Sequence, residues 1–385
     1  MTDNLKQKAD AILSGAVAAG AVAGVSATVL NKDKVVYEGS AGARALGGDA
    51  PMDVDSVCWI ASMTKPLASL AAVQLVERGA LSMDAPLGGL APELSAIQVL
   101  DGFTADGAPH LRPPKRAITL RDLLTHTSGL GYELFSQDVL KMQAALGIPG
   151  LAEGKLTTLN VPLLFDPGER WEYGVSTDWV GRVAEAASGQ SLGDYLAANV
   201  FAPLGMESTA FGPTTEMRTR LASMHMRTPD GGLAPFPFET LPVEYQSGGG
   251  GLYSTTRDYG RFVRAMLGDG APLVGPVGMA LLSENQMGAL RVTEIKTATP
   301  FSLDAEIFPG VPKGWTAAFQ INLEPAPTGR SAGGLMWAGL ANSYFWIDRT
   351  AGVGGVTMMQ LAPFADARAV QVWHDFETAA YAACR

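Results

Sequence analysis

Cysteine, histidine and clustered positive charge are all scarce in this chain. Two cysteines, Cys58 and Cys384, occur in 385 residues, too few for a disulfide framework. The four histidines are His110, His126, His225 and His374, and no H-E-x-x-H or other metal-ligand spacing accompanies them. No metal and no cofactor is therefore expected. Lys and Arg number 28 against 38 Asp and Glu, which leaves a net charge of −10 with no basic run. That balance argues against a nucleic-acid partner. A secretory leader is also poorly supported. Lys6 and Lys8 precede an Ala/Val/Gly-rich run from Ala11 to Leu30, but Asp3 and Asp10 ahead of the run argue against a leader, and within it Leu is sparse and Phe is missing. The run reads better as a helix from about Asp3 to Ala18, a break at Gly20 and a strand from Val22 to Leu30. A cytoplasmic protein without a membrane partner is the expectation.

Apolar material is plentiful: 47% of the residues are hydrophobic and 17% charged, enough to build a sizeable core. The length suits two domains, or one carrying an insertion. Val22–Leu30 and Lys34–Gly39 flank the Asn31-Lys32-Asp33 turn and predict a hairpin. Strand-like runs return at Trp315–Leu323, Leu335–Leu340, Tyr344–Ile347 and Gly355–Leu361, as an antiparallel meander closed by a helix over about Ala365–Ala382. Helical patterns fill the middle. The expected fold class is α/β (α+β): an antiparallel sheet flanked by helices and formed by both chain ends, with an inserted all-helical domain. The expected boundaries are 1–85 with 290–385 for the sheet domain and 86–289 for the helical domain with its long loops.

The stretch Ile60–Gly79 organises the chemistry. Only Ser69 and Gln74 are polar between Leu67 and Val76, so this helix is buried on nearly every side. Pro66 suits its start and Gly79 its end. Ser62 and Lys65 stand at its first turn with i, i+3 spacing, which places hydroxyl and amine on one face. A serine hydroxyl needs a base, and burial lowers a lysine pKa enough to supply one. The helix N-terminus adds free N–H donors suited to an oxyanion. The alternative for S-x-x-K is a serine cap beside a solvated lysine.

Further along, Thr119 caps a short helix that ends at Thr127-Ser128-Gly129, and His126 reads as a structural histidine holding carbonyls there. Asp166-Pro-Gly168 makes a turn ahead of Tyr173, and a helix follows over Ser176–Ser188. Residues 213–245 form a long Pro-rich loop of the kind that lines sites. The glycines of Ser247–Gly251 let the backbone approach a neighbour closely.

Taken in order, S-M-T-K at Ser62–Lys65, L-L-T-H-T-S-G-L at Leu123–Leu130, F-D-P-G-E-R-W-E-Y at Phe165–Tyr173, S-G-G-G-G-L-Y-S-T at Ser247–Thr255 and W-A-G at Trp337–Gly339 resemble the serine hydrolases of the class C β-lactamase fold, and within it the family VIII carboxylesterases. The resemblance spans almost the whole chain. It implies an active site between sheet and helical domain, with Ser62 as acylated nucleophile, Lys65 as its activator and Tyr173 as a second base whose pKa the Lys cation lowers. It implies an oxyanion hole from the N–H groups of Ser62 and Leu340, and substrate contacts from Trp337, Gly339 and Tyr132, with plain packing the alternative for Trp337. Two departures matter. Val175 stands where Y-x-N would have an amide, and Trp337 where K-T-G would have a cation. Both favour neutral esters over anionic lactams. The partner implied is a small-molecule ester; amidase action, acyl transfer and weak β-lactam hydrolysis share the same residues, and a non-enzymatic binding protein is the remaining alternative.

One rival nucleophile exists. Gly329-Arg-Ser331-Ala-Gly333 matches G-x-S-x-G, with Asp348 and His374 following in order. The elbow needs a buried strand before the serine and a helix after it. Here Glu324-Pro-Ala-Pro-Thr precedes it and a strand follows, so a glycine-rich hairpin loop is the better reading.

Overall fold

The computed structural model describes residues 2–237 and 243–384. The helices that bear on the site are α1 (Thr2–Ala18), α2 (Thr64–Glu77), α3 (Leu120–Leu124), α4 (Ser176–Ser188), α5 (Thr256–Leu267) and α6 (Ala367–Cys384). The large sheet has β1 (Gly24–Leu30) and β2 (Val35–Gly42) from the N-terminal part. From the C-terminal part it has β3 (Lys313–Trp315), β4 (Gln320–Asn322), β5 (Leu335–Gly339), β6 (Ser343–Asp348) and β7 (Val353–Met358). Their order is β3-β4-β5-β6-β7-β1-β2, and every neighbouring pair is antiparallel. This is the mixed α/β fold expected from the sequence, with the sheet built by both ends.

Local chemistry explains the strand connections. The Asn31 side chain accepts from the Asp33 and Lys34 N–H groups at 2.9 and 2.8 Å and closes the β1–β2 turn. The single strand expected over Trp315–Leu323 is two strands. Thr316 Oγ1 accepts from the N–H groups of Ala318 and Phe319 at 3.1 and 2.9 Å, and this turn folds β4 back onto β3.

Both faces of the sheet are covered, which is why all seven residues of β1 are buried. Along α1, Leu5, Ala9, Leu13 and Ala16 recur every three or four positions and are buried. Helix α1 packs on β1, β2 and α6, and the Tyr37 ring lies 5.8 Å from Phe376 of α6. The other face carries α5, which packs over β1, β6 and β7 and whose Thr256 hydroxyl meets Ser26 of β1 at 2.6 Å. The sheet's second cover therefore comes from within the stretch read as the insertion.

Helix α2 is buried from Thr64 through Leu75 and packs against α4. Each aliphatic side chain buried there stabilises the fold by about 1.5–3 kcal/mol. The loop over 213–245 is not irregular throughout. His225–Arg227 and Leu233–Pro235 pair as a hairpin that joins Leu361–Ala362, while 238–242 lie outside the described residues. Cys58 is buried and free, and the Cys384 side chain lies outside the described residues. Among the described residues no helix is long and apolar enough to cross a membrane, and no cluster of His, Cys, Asp or Glu suits a metal ion.

Candidate active site

Ser62 sits two residues before α2, in a single 3₁₀ turn spanning Ala61–Met63. Ala61 has φ +43°, a left-handed conformation that L side chains rarely adopt. Such strain concentrates at functional sites and needs surrounding structure to hold it. Here the hold comes from β5: a Cβ on Gly339 would stand 2.4 Å from the Ile60 carbonyl oxygen, so only glycine lets the strand lie against the turn. Gly339 thus abuts the turn that carries Ser62, and Leu340 follows it at the end of β5.

The i, i+3 geometry expected of Ser62 and Lys65 is present, with Lys65 Nζ donating to Ser62 Oγ at 3.1 Å. Lys65 is 1% exposed. Its amine also donates to the Tyr132 phenol at 3.0 Å and to the Gly249 carbonyl at 2.7 Å. None of these partners is a carboxylate. Burial pushes the Lys65 pKa down to about 7, and the nearby Asp178 charge opposes the shift only in part. An amine with that pKa is free to take a proton at neutral pH.

Tyr173 brings its ring to 4.7 Å from Lys65 Nζ. The Trp337 indole donates to the Tyr173 oxygen at 3.1 Å, and the Ser62 hydroxyl also faces that oxygen. The expected lowering of the Tyr173 pKa by the Lys65 cation does not occur. Burial dominates and pushes the phenol up, against the hydrogen bonds from Ser62 and Trp337. The rings of Tyr132, Phe135, Trp171, Trp337 and His126 surround it with centroids 5.0–6.2 Å away. A phenol so enclosed stays protonated and is suited to donate rather than to accept.

Three features differ from the sequence reading. Tyr132, expected against substrate, is buried, and its oxygen is engaged by Lys65 and Asp178. Trp337 is 3% exposed with its indole N–H turned to Tyr173. His126 does not hold helix carbonyls. It has φ +57°, its ring stands edge-on to Trp315 at 5.0 Å, and its buried Nδ1 has no partner among the described residues. Burial and the adjacent Lys65 push its pKa well below the usual histidine value, so the ring is neutral.

Sequence reasoning missed Asp178 altogether. It lies in the first turn of α4, where an Asp reads as a helix-dipole partner. Its carboxylate is 1% exposed and accepts from Ser247 Oγ at 2.6 Å and from the Gly249 N–H at 3.0 Å. The glycine run was the available signal. A Cβ on Gly249 would lie 2.4 Å from Asp178 Oδ2 and 2.6 Å from the Tyr132 oxygen, so the expected close approach is to these two side chains.

The rival serine is differently placed. The Ser331 N–H, not its hydroxyl, is bonded to Asp348, at 2.7 Å. The His374 ring stacks on Phe308 with centroids 5.0 Å apart. No hydrogen bond joins Ser331 and His374 among the described residues.

An antiparallel sheet beside helices, with a serine-lysine pair and a tyrosine at their junction, defines a serine hydrolase of the β-lactamase fold. The pattern of the beta-lactamase family matches residues 9–380, and the chain belongs to that family. It is 32% identical over 340 residues to a lovastatin esterase of Penicillium rubens, covering 84% of this chain and 85% of that one. It is also 32% identical over 345 residues to a monacolin J acid methylbutanoyltransferase of Aspergillus terreus, covering 86% and 83%. Among solved structures, an unliganded simvastatin synthase of Aspergillus terreus superposes with a TM-score of 0.85 at 29% identity, covering 97% of each chain.

Proposed function

We propose that this chain is a serine carboxylesterase of the family VIII type. It forms an acyl-Ser62 intermediate from small or medium neutral esters and releases the acyl group to water or to an alcohol. The observation that carries the reading is the Ser62–Lys65 contact at 3.1 Å beneath a lysine whose pKa is near 7. Neutral Lys65 takes the Ser62 proton as Oγ attacks the ester carbonyl. The N–H groups of Ser62 and Leu340 receive the developing oxyanion. Tyr173 gives its proton to the departing alkoxide and regains one from the Lys65 ammonium. A water or an acceptor alcohol then attacks the acyl carbonyl by the reverse exchange. Trp337 holds the Tyr173 oxygen in line. Val175 and Trp337 bring no amide and no cation to the substrate, which supports neutral esters and leaves β-lactam hydrolysis weak.

Acyl transfer has its own support, since relatives at 32% identity include both an esterase and a methylbutanoyltransferase. The two outcomes share every step up to the acyl-enzyme. A cytoplasmic location, and a division into a sheet part (1–85 and 290–385) and a helical part (86–289), complete the reading. The test is trapping by a fluorophosphonate. Label is expected on Ser62, lost in Ser62→Ala and kept in Ser331→Ala; label that moves to Ser331 overturns the proposal. Hydrolysis of a chromogenic ester with increasing alcohol then measures the partition between hydrolysis and transfer.

A further inference from the structure

Lys65 is held from two sides by two phenols with different partners. The Tyr173 oxygen faces Ser62 and Trp337. The Tyr132 oxygen accepts from Lys65 at 3.0 Å and donates to Asp178 Oδ2 at 3.4 Å. The second side is closed by the backbone. Asp178 Oδ1 holds Ser247 Oγ and the Gly249 N–H, and the Gly249 carbonyl accepts from Lys65 at 2.7 Å. Two of the three acceptors around the Lys65 amine are thus fixed by one buried carboxylate.

We infer that Tyr132, backed by Asp178, is a positioning residue that keeps the Lys65 amine aimed at Ser62 and sets the pH at which that amine becomes free. The inference rests on the reading of Lys65 as the proton acceptor. It also gives Tyr132 a role apart from substrate contact, since a 5% exposed side chain whose oxygen has two protein partners has little surface left for a ligand.

The ionisable groups facing this cluster come from several elements. Lys65 faces Asp178 from α4 and His126 from the end of α3, with both phenols beside it. Tyr132 faces Asp178, Tyr173, Tyr245 and its neighbour Glu133. Asp178 is the nearby anion that favours the Lys65 ammonium, and Tyr132 offers that ammonium a hydrogen bond. Removing either destabilises the charged form. The amine should then become neutral at lower pH, yet be less well aimed.

Two readouts test this, one independent of activity. The first follows the Lys65 titration by the side-chain carbon resonance of lysine-labelled protein, in the wild type, Tyr132→Phe and Asp178→Asn. The midpoint is expected near 7 in the wild type. In both variants it should fall by about one unit or more, the scale of a hydrogen bond to a charged group. The second is the pH profile of ester hydrolysis. Its acid limb should move down by the same amount, with kcat at the plateau reduced about tenfold and KM unchanged. Tyr132→Phe keeps the ring, and Asp178→Asn keeps the shape, so one folded variant suffices. An unmoved Lys65 midpoint overturns the inference, even if activity falls. A shifted midpoint in a protein that hydrolyses no ester and takes no label on Ser62 upholds it and removes the proposed function instead.

Discussion

Ser62 and Ser331 both stand in short motifs that hydrolases use, and the surroundings of the two serines are opposite. Near Ser331 the buried cation has a carboxylate partner. Arg330 and Glu377 are fully buried and joined by two hydrogen bonds, Nε to Oε1 at 2.9 Å and Nη2 to Oε2 at 2.6 Å. Asp348 is satisfied by N–H groups of Ser331 and Ala351 and by the Tyr381 phenol. Near Ser62 the buried cation has only neutral acceptors, and its hydrogen bond to the serine hydroxyl is one of three. Removing one partner of a buried pair such as Arg330 and Glu377 leaves the other charge uncompensated. An unmatched buried amine gives up its proton near neutral pH and can exchange one with a serine. On the proposed reading, the difference between a structural and a reactive serine lies in that imbalance, not in the local motif.

Substitutions on the two sides test the contrast. The largest effect belongs to Ser62→Ala, for which ester turnover should fall by roughly 10⁶-fold, as measured by single-turnover kinetics at high enzyme concentration. Tyr173→Phe removes the proposed proton donor and should lower kcat by about 10²–10⁴, with the Ser62 label retained at a slower rate. Trp337→Phe keeps an aromatic ring but removes the indole donor to Tyr173, and kcat should drop about tenfold. On the other side, Arg330→Met leaves Glu377 buried without its partner. It should destabilise the fold by about 3–5 kcal/mol in a denaturant titration, while kcat of the folded fraction stays at the wild-type value. Ser331→Ala should change neither turnover nor stability beyond about 0.5 kcal/mol. Normal turnover in Ser62→Ala, or a large loss in Ser331→Ala, would break the comparison.

Much of the fold was readable because it depends on local pattern. The Asn31-Lys32-Asp33 turn, the apolar run behind Ser62 and the Thr119 cap all appear where expected. The misread strand over Trp315–Leu323 shows the limit: alternation looked continuous, and the turn depended on the Thr316 side chain bonding two N–H groups ahead of it. Of the site, Ser62 and Lys65 were legible from spacing, while Tyr173 stood out through likeness to a family. Asp178 gave no sign, because an Asp at a helix start is ordinary until other segments bury it.

The amino-acid order alone fixed the serine and lysine on one helical face, the buried helix behind them and the pairing of strands from both ends. It pointed to a lowered Lys65 pKa through the buried helix, but not to where the other protons of the site sit. That depends on dielectric and on partners drawn from across the fold: Gly249 lies 184 positions from Lys65, and Trp337 lies 164 from Tyr173. Only tertiary packing brought the amine down to about 7, pushed the phenol of Tyr173 up and turned Tyr132 inward to the lysine. Burial acts on a charge through every neighbour at once, and those neighbours are set by the folded chain as a whole.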